Sequence, residues 1–207
     1  MDKLIKVLQN TKNNNKPYDG KDFDIGYQSI RINNVLLKGQ RDCEGRLNFF
    51  KKYVDFNDKT VLDIGCYYGG MLFPLTEIKE GVGIDVSELN INGANAIKNY
   101  LNKTNLSFNV FNLDSDKLSL LNGLFKNTKI DIAFVLSICM WIKKWKELID
   151  FLKNNVEIII FESNGTAIQQ NEQIQYLKTK FTKVQLVSEN SYDNIVPTGR
   201  KLFICSN

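Results

Sequence analysis

VLDIGCYYGG, residues 61–70, runs from an apolar stretch through an acid into a turn bracketed by glycines, with two tyrosines inside it. Its first half, together with Thr60, has the β-branched and apolar make-up of a strand buried on both faces. Gly65 lets the backbone leave such a strand sharply, and Gly69 lets the start of a following helix approach a ligand closely. Tyr67 and Tyr68 are bulky for a loop that cradles phosphates. The fold depends on whether this strand-and-turn unit stands alone or opens a series.

It opens a series. TVLDIG, GVGIDV, LSFNVF, DIAFVLS and EIIIFES alternate with stretches of helical length, which predicts a parallel sheet covered by helices on both faces. FTKVQLVS and KLFICSN follow, joined by ENSYDNIVPTGR, which is too irregular for a crossover helix, so these two runs are expected to form a terminal antiparallel pair. Upstream, residues 2–9 suit a short helix, and the Asn-rich residues 10–22 read as a loop and a candidate lid. Residues 27–39 suit a hairpin turning at Asn33-Asn34, because Asn tolerates positive φ. Leu47, Phe50, Tyr53 and Val54 recur at helical spacing over residues 42–56. The chain is thus divided into an extension, residues 1–57, for acceptor recognition or closure, and a core, residues 58–207.

The 207 residues suffice for one well-filled core, and 43% hydrophobic with 24% charged residues is ordinary for a globular protein. The apolar runs are too short to span a bilayer, and the first residues lack a leader's apolar stretch, so a cytoplasmic location without membrane association is expected. Cys43, Cys66, Cys139 and Cys205 form no CxxC pair and the chain has no histidine. Zinc sites of the usual kind, Ser/His/Asp hydrolysis and a His general base are thereby removed. The net charge of +4 suits an anionic substrate or RNA, and solvated surface lysines account for it equally well.

In a parallel α/β sheet, ligands sit beyond the carboxyl ends of the strands, where strand order reverses. Asp63, Gly65, Gly69 and Asp85 all fall at such ends. A carboxylate closing the second strand, as Asp85 does, can accept both hydroxyls of a ribose. A dinucleotide site shares that acid, but its GxGxxG fingerprint is broken here, since GCYYGG lacks the glycine that lets backbone reach a pyrophosphate. Asp63 would repel a pyrophosphate and attract a cationic amino group. The residues ask for a ligand with a ribose and an amino group and without phosphate.

VLDIGCYYGG followed by GVGIDVSE resembles the first two motifs of the class I S-adenosylmethionine-dependent methyltransferases, and the resemblance continues through FNVFNLD, DIAFVLSICMWI and IIIFES. It implies a Rossmann-like, mostly parallel seven-stranded sheet with helices on both faces and an antiparallel C-terminal strand pair. S-adenosylmethionine is the implied cofactor. Asp63 and Gly65 would line its methionine part, Asp85 would bind its ribose, Asn112 and Leu113 would lie at its adenine, and Cys66, Tyr67, Gly69, Val86 and Ser137 would complete the cofactor site. Asn112 stands where the family often has an acid, and NLD has a second reading as a helix cap.

The segment LSICMWIKKW contains neither NPPY nor DPPY. It resembles, over a few residues, the LSxxKW segment of methyltransferases that act on RNA 5′-phosphates, with Met140 in place of the lysine. Trp141 is then a candidate substrate residue, and core packing is the alternative for Met140, Trp141 and Ile142. Glu162 and Asn164 in FESNG are candidate catalytic residues, with helix capping as the other role open to Glu162. Arg41 can pair with an anionic group of cofactor or acceptor, or remain a surface arginine. Tyr67 is expected to point away from the methionine part, packing on the N-terminal segment or walling the acceptor cleft.

Methyl transfer from a sulfonium is an in-line displacement that needs chiefly positioning and no metal. Without histidine, the expected acceptor needs little help from a base, or takes it from Glu162. The sequence therefore points to O-methylation of a small molecule or of a glycan or sugar-phosphate acceptor. An RNA methyltransferase is the alternative, and a non-catalytic cofactor-binding scaffold the second.

Overall fold

The computed structural model describes residues 2–14, 24–126, 129–191 and 199–207. Helix α1 (Asp2–Asn14) runs beyond the predicted stop at Gln9. It is held from one side, since Leu4 and Leu8 are buried in a core shared with a later helix. The remainder of the candidate lid, residues 15–22, lies outside the described residues. Strands β1 (Ile30–Ile32) and β2 (Val35–Leu37) form the expected hairpin, with Ile32 opposite Val35 and Asn33 at φ 53°. Helix α2 (Cys43–Phe50) is capped by Asp42, whose side chain accepts from the Gly45 N–H at 3.0 Å. It ends well before Phe56, and residues 51–53 form a turn.

The apolar runs all become strands: β3 (Thr60–Ile64), β4 (Glu80–Asp85), β5 (Leu106–Val110), β6 (Ile130–Leu136), β7 (Val156–Glu162), β8 (Lys183–Ser188) and β9 (Leu202–Ser206). The sheet order is β5-β4-β3-β6-β7-β9-β8, parallel except for β9, which runs antiparallel to both neighbours. Most of the connection between β8 and β9 lies outside the described residues. Successive side chains of a strand face opposite ways. Val61 of β3 and Phe134 of β6 therefore join one apolar core with α1, α2 and α3 (Glu88–Tyr100). Leu62 and Val135 join another with α4 (Trp145–Asn155) and α5 (Ala167–Lys180). The seven-stranded α/β architecture with helices on both faces is the one expected. Among the described residues, no helix is long and apolar enough to cross a membrane.

Two connections depart from it. The segment after β3 winds through successive turns and is not a regular helix, because Tyr67 and Gly69 take φ of 52° and 80° and Pro74 has no N–H to donate. Among the described residues between β5 and β6, the only helical piece is a 3-10 segment, Leu118–Leu124. Strand order reverses at β3, which lies between β4 and β6, so the crevice beyond their carboxyl ends collects Asp63, Asp85 and Ser137.

Candidate active site

Asp63 ends the buried face of β3 that carries Val61, and its carboxyl group is almost wholly removed from solvent. Burial pushes its pKa up to about 7; the Arg46 guanidinium pulls the other way and the Asp85 carboxylate adds to the rise. Its Oδ2 has no hydrogen-bond partner among the described residues. Asp85, at the end of β4, is thoroughly tied. Oδ1 accepts from the Ser87 N–H at 2.9 Å and from Asn90 Nδ2 at 3.3 Å, and Oδ2 accepts from the Tyr67 N–H at 3.0 Å.

Between these acids the turn is held in an unusual backbone. Gly65 has φ 73°, and a Cβ there would come within 2.9 Å of Ile138. Tyr67 takes the same left-handed region without a glycine's freedom, which costs on the order of 1–2 kcal/mol. Its N–H bond to Asp85 and its ring contacts with Tyr27 and Tyr68, at 5.4 and 4.2 Å between centroids, hold it there. Tyr67 thus packs on the N-terminal segment and also lines the cleft. Tyr68 points the opposite way, with its hydroxyl donating to the Leu8 carbonyl of α1 at 3.1 Å.

Two adjoining cavities meet at Gly65, Asp85, Ile138 and Trp141. The first, about 320 Å³, is mostly apolar, with Ile84, Phe111, Leu113 and Ile142 as walls and Val86, Asn112 and Asp114 along its edge. A flat heterocycle suits such a slot. Asn112 does not cap a helix. Its side-chain oxygen accepts from the Asp114 N–H at 3.0 Å, shaping the loop at the slot's edge. The second cavity, about 300 Å³, is polar, and Tyr27, Gln28, Arg46, Asp63, Asn90 and Ser137 border it.

Behind that cavity lies a buried ionic cluster. Glu162, fully buried at the end of β7, pairs with Arg46 and with Arg200, the latter at 3.2 Å, and accepts from the hydroxyls of Ser137 and Ser191. Ser137 has φ 59° and takes a further bond from Arg200 at 2.6 Å. Asn164 braces the same turn, with Nδ2 on the Ser137 carbonyl at 2.6 Å and Oδ1 on the Met140 N–H at 3.1 Å. Capping of α5 falls to Thr166 and Gln169, which bond each other reciprocally. Glu162 has no part in it.

Cys66 and Gly69 are buried within the turn and border neither cavity, and burial pushes the Cys66 thiol up. Arg41 also borders neither; its guanidinium lies over the Tyr27 ring at 5.3 Å. Trp141 is 74% exposed at the shared mouth and Met140 is exposed beside it, so neither belongs to the core. Four cleft residues escape a reading of the strand ends: Tyr27, Gln28, Arg46 and Asn90. Arg46 had a signal, since it shares a helical face with Cys43 and Phe50 and an arginine on a buried face calls for an acid. Gln28, whose Oε1 accepts from the Gly70 N–H at 3.0 Å, had none.

Asp63 Oδ2 and Asn90 Oδ1 are buried acceptors without a partner among the described residues, the Asp85 carboxylate stands between the cavities, and the slot beside it is apolar. These residues fit a nucleoside that carries an amino acid. Comparison with known proteins agrees. A family model described as "Methyltransferase domain" matches residues 36–197. No curated protein matches the chain. Among solved structures, the bifunctional kinase-methyltransferase WbdD superposes with TM-score 0.65 at 21% identity over 82% of this chain and 40% of that chain. The present chain therefore spans well under half of WbdD's length. The N-terminal domain of EvdMO1 with SAH bound gives TM-score 0.64 at 8% identity, covering 96% of each chain. YcgJ from Bacillus subtilis gives 0.56 at 12%, over 70% and 71%. The family match over most of the chain makes the protein a member of the methyltransferase-domain family, and its cleft fits S-adenosylmethionine.

Proposed function

We propose that the enzyme O-methylates a small molecule or glycan through an oxygen that is already anionic, as in a phosphate or carboxylate. The observation that carries this reading is the make-up of the acceptor side of the cleft: the Arg46 guanidinium borders it and the chain holds no imidazole. The sulfonium cofactor supplies a methyl group already activated for displacement. The chain's own task is then to align an oxygen with it, and a phosphate or carboxylate oxygen attacks at neutral pH with no proton to remove.

In this reading the N-terminal segment recognises the acceptor through Tyr27, Gln28 and Arg46, and Trp141 offers an exposed ring at the mouth for a sugar or another flat face. Tyr67 forms the wall between. Glu162 acts by orienting Arg46 and Ser137, since its own oxygens are engaged within the protein, and Asn164 holds the Ser137 turn. Asp63 receives the cofactor's ammonium and Asp85 its ribose.

An acceptor panel tests this: sugar phosphates, carboxylated metabolites, neutral sugars and RNA, with SAH formation as the readout. Activity is expected with phosphorylated or carboxylated small molecules or glycans, and Arg46→Met should raise the acceptor KM. Activity confined to RNA, or to neutral alcohols, would overturn the proposal.

A further inference from the structure

We infer that Asn90 is a cofactor-recognition residue, whose carboxamide oxygen accepts a hydrogen bond from one ribose hydroxyl while Asp85 takes the other. This rests on the assignment of the cleft to S-adenosylmethionine.

The argument starts from the lone pairs of Asp85. A carboxylate offers about four acceptor sites, and three protein donors already lie on this one: the Ser87 N–H, the Tyr67 N–H and Asn90 Nδ2. One site is left, whereas a ribose presents two hydroxyls. The second acceptor has to come from a neighbour.

Asn90 is that neighbour. It lies in the first turn of α3, is 8% exposed, and borders the polar cavity together with Asp63, Gly65 and Asp85. Because Asp85 can only accept, the carboxamide is oriented with its NH2 toward Asp85 and its oxygen away from it. That oxygen is buried and has no partner among the described residues. Buried carbonyl groups are seldom left so. Asn90 is bonded to Asp85 and borders the same cavity, so its carboxamide is the neighbour of any hydroxyl that Asp85 holds.

The amino group of the cofactor is the other donor to consider. Asp63 Oδ2 is a buried acceptor on a different strand, bordering the same cavity, and a carboxylate suits an ammonium better than a neutral amide does. The two unpartnered oxygens thus divide the ligand, with the ammonium on Asp63 and a hydroxyl on Asn90.

Calorimetric titration with S-adenosylhomocysteine (SAH), its 2′-deoxy and 3′-deoxy analogues and its desamino analogue tests the assignment, using wild type and Asn90→Ala. In wild type each deoxy analogue is expected to bind more weakly than SAH. Asn90→Ala should weaken SAH about tenfold, the worth of one hydrogen bond. One deoxy analogue should then bind the variant as well as SAH does, while the other keeps its full wild-type penalty. Melting temperature reports folding, and Asn90→Leu, nearly isosteric, replaces the alanine variant if that one unfolds. If both deoxy penalties survive unchanged in the variant, or if the desamino penalty is the one that vanishes, the inference is overturned. Failure of wild type to bind SAH at all would instead bring down the cofactor assignment, and this inference with it.

Discussion

Raising the pH from about 5.5 to about 7.5 should strengthen SAH binding about 25-fold, through the ionisation of a single buried carboxyl. Asp63 titrates at about 7 in the ligand-free cleft. At pH 5.5 only about 3% of it is ionised, and at pH 7.5 about three-quarters. The cofactor's ammonium binds the ionised form, so affinity is lost as the pH falls through 7. The stability of the free protein runs the other way. The folded-state pKa lies above the ordinary 3.8, so the folded chain keeps a proton that the unfolded chain gives up, and stability declines between about pH 4 and pH 7. Roughly three pKa units correspond to about 4 kcal/mol over that window. Titration calorimetry at both pH values, in two buffers of different ionisation enthalpy, should show nearly one proton released on binding at the lower pH and a small fraction of one at the higher. Asp63→Asn should bind weakly and with little pH dependence. A pH dependence that survives in Asp63→Asn, or an affinity flat across the range in wild type, would refute the assignment of the ammonium to Asp63.

Two further substitutions probe the framework of the cleft. Glu162→Gln removes the charge facing two arginines and should cost about 3 kcal/mol in stability and slow turnover, with SAH affinity held; unchanged turnover would leave Glu162 a purely structural anchor. Tyr67→Ala and Tyr67→Gly both delete the ring, but only glycine relieves the left-handed backbone, so the glycine variant should be about 1 kcal/mol the more stable in denaturant unfolding. Equal stability would mean that the turn relaxes once the ring is gone.

Much of this site lies in strings short enough to read directly. Asp63 and Asp85 each close a strand, and a strand end is a local event: an apolar run, an acid, then a glycine or a helix cap. The hairpin at Asn33 and the antiparallel pair at the end of the chain were legible for the same reason. Arg41 shows the limit. Its position beside α2 recommends it for an anionic group, and its guanidinium lies on Tyr27, while Arg46, five residues further on and inside α2, borders the cleft. Which of two nearby arginines points inward depends on how α2 sits on the sheet.

The sequence by itself determined the order of the strands along the chain, the two acids at the ends of β3 and β4, and the want of any imidazole base, since each rests on composition or on periodicity within a few residues. Only the tertiary structure decided what those acids face. Arg46 and Glu162 stand 116 residues apart along the chain and touch only because α2 packs against the sheet above the end of β7. Asn90 has meaning only once its carboxamide is seen against Asp85, and Tyr67 is a cleft wall only because Tyr27 returns over it. Side-chain convergence of this kind comes from packing two faces of a sheet at high density, and no periodicity along the chain encodes it.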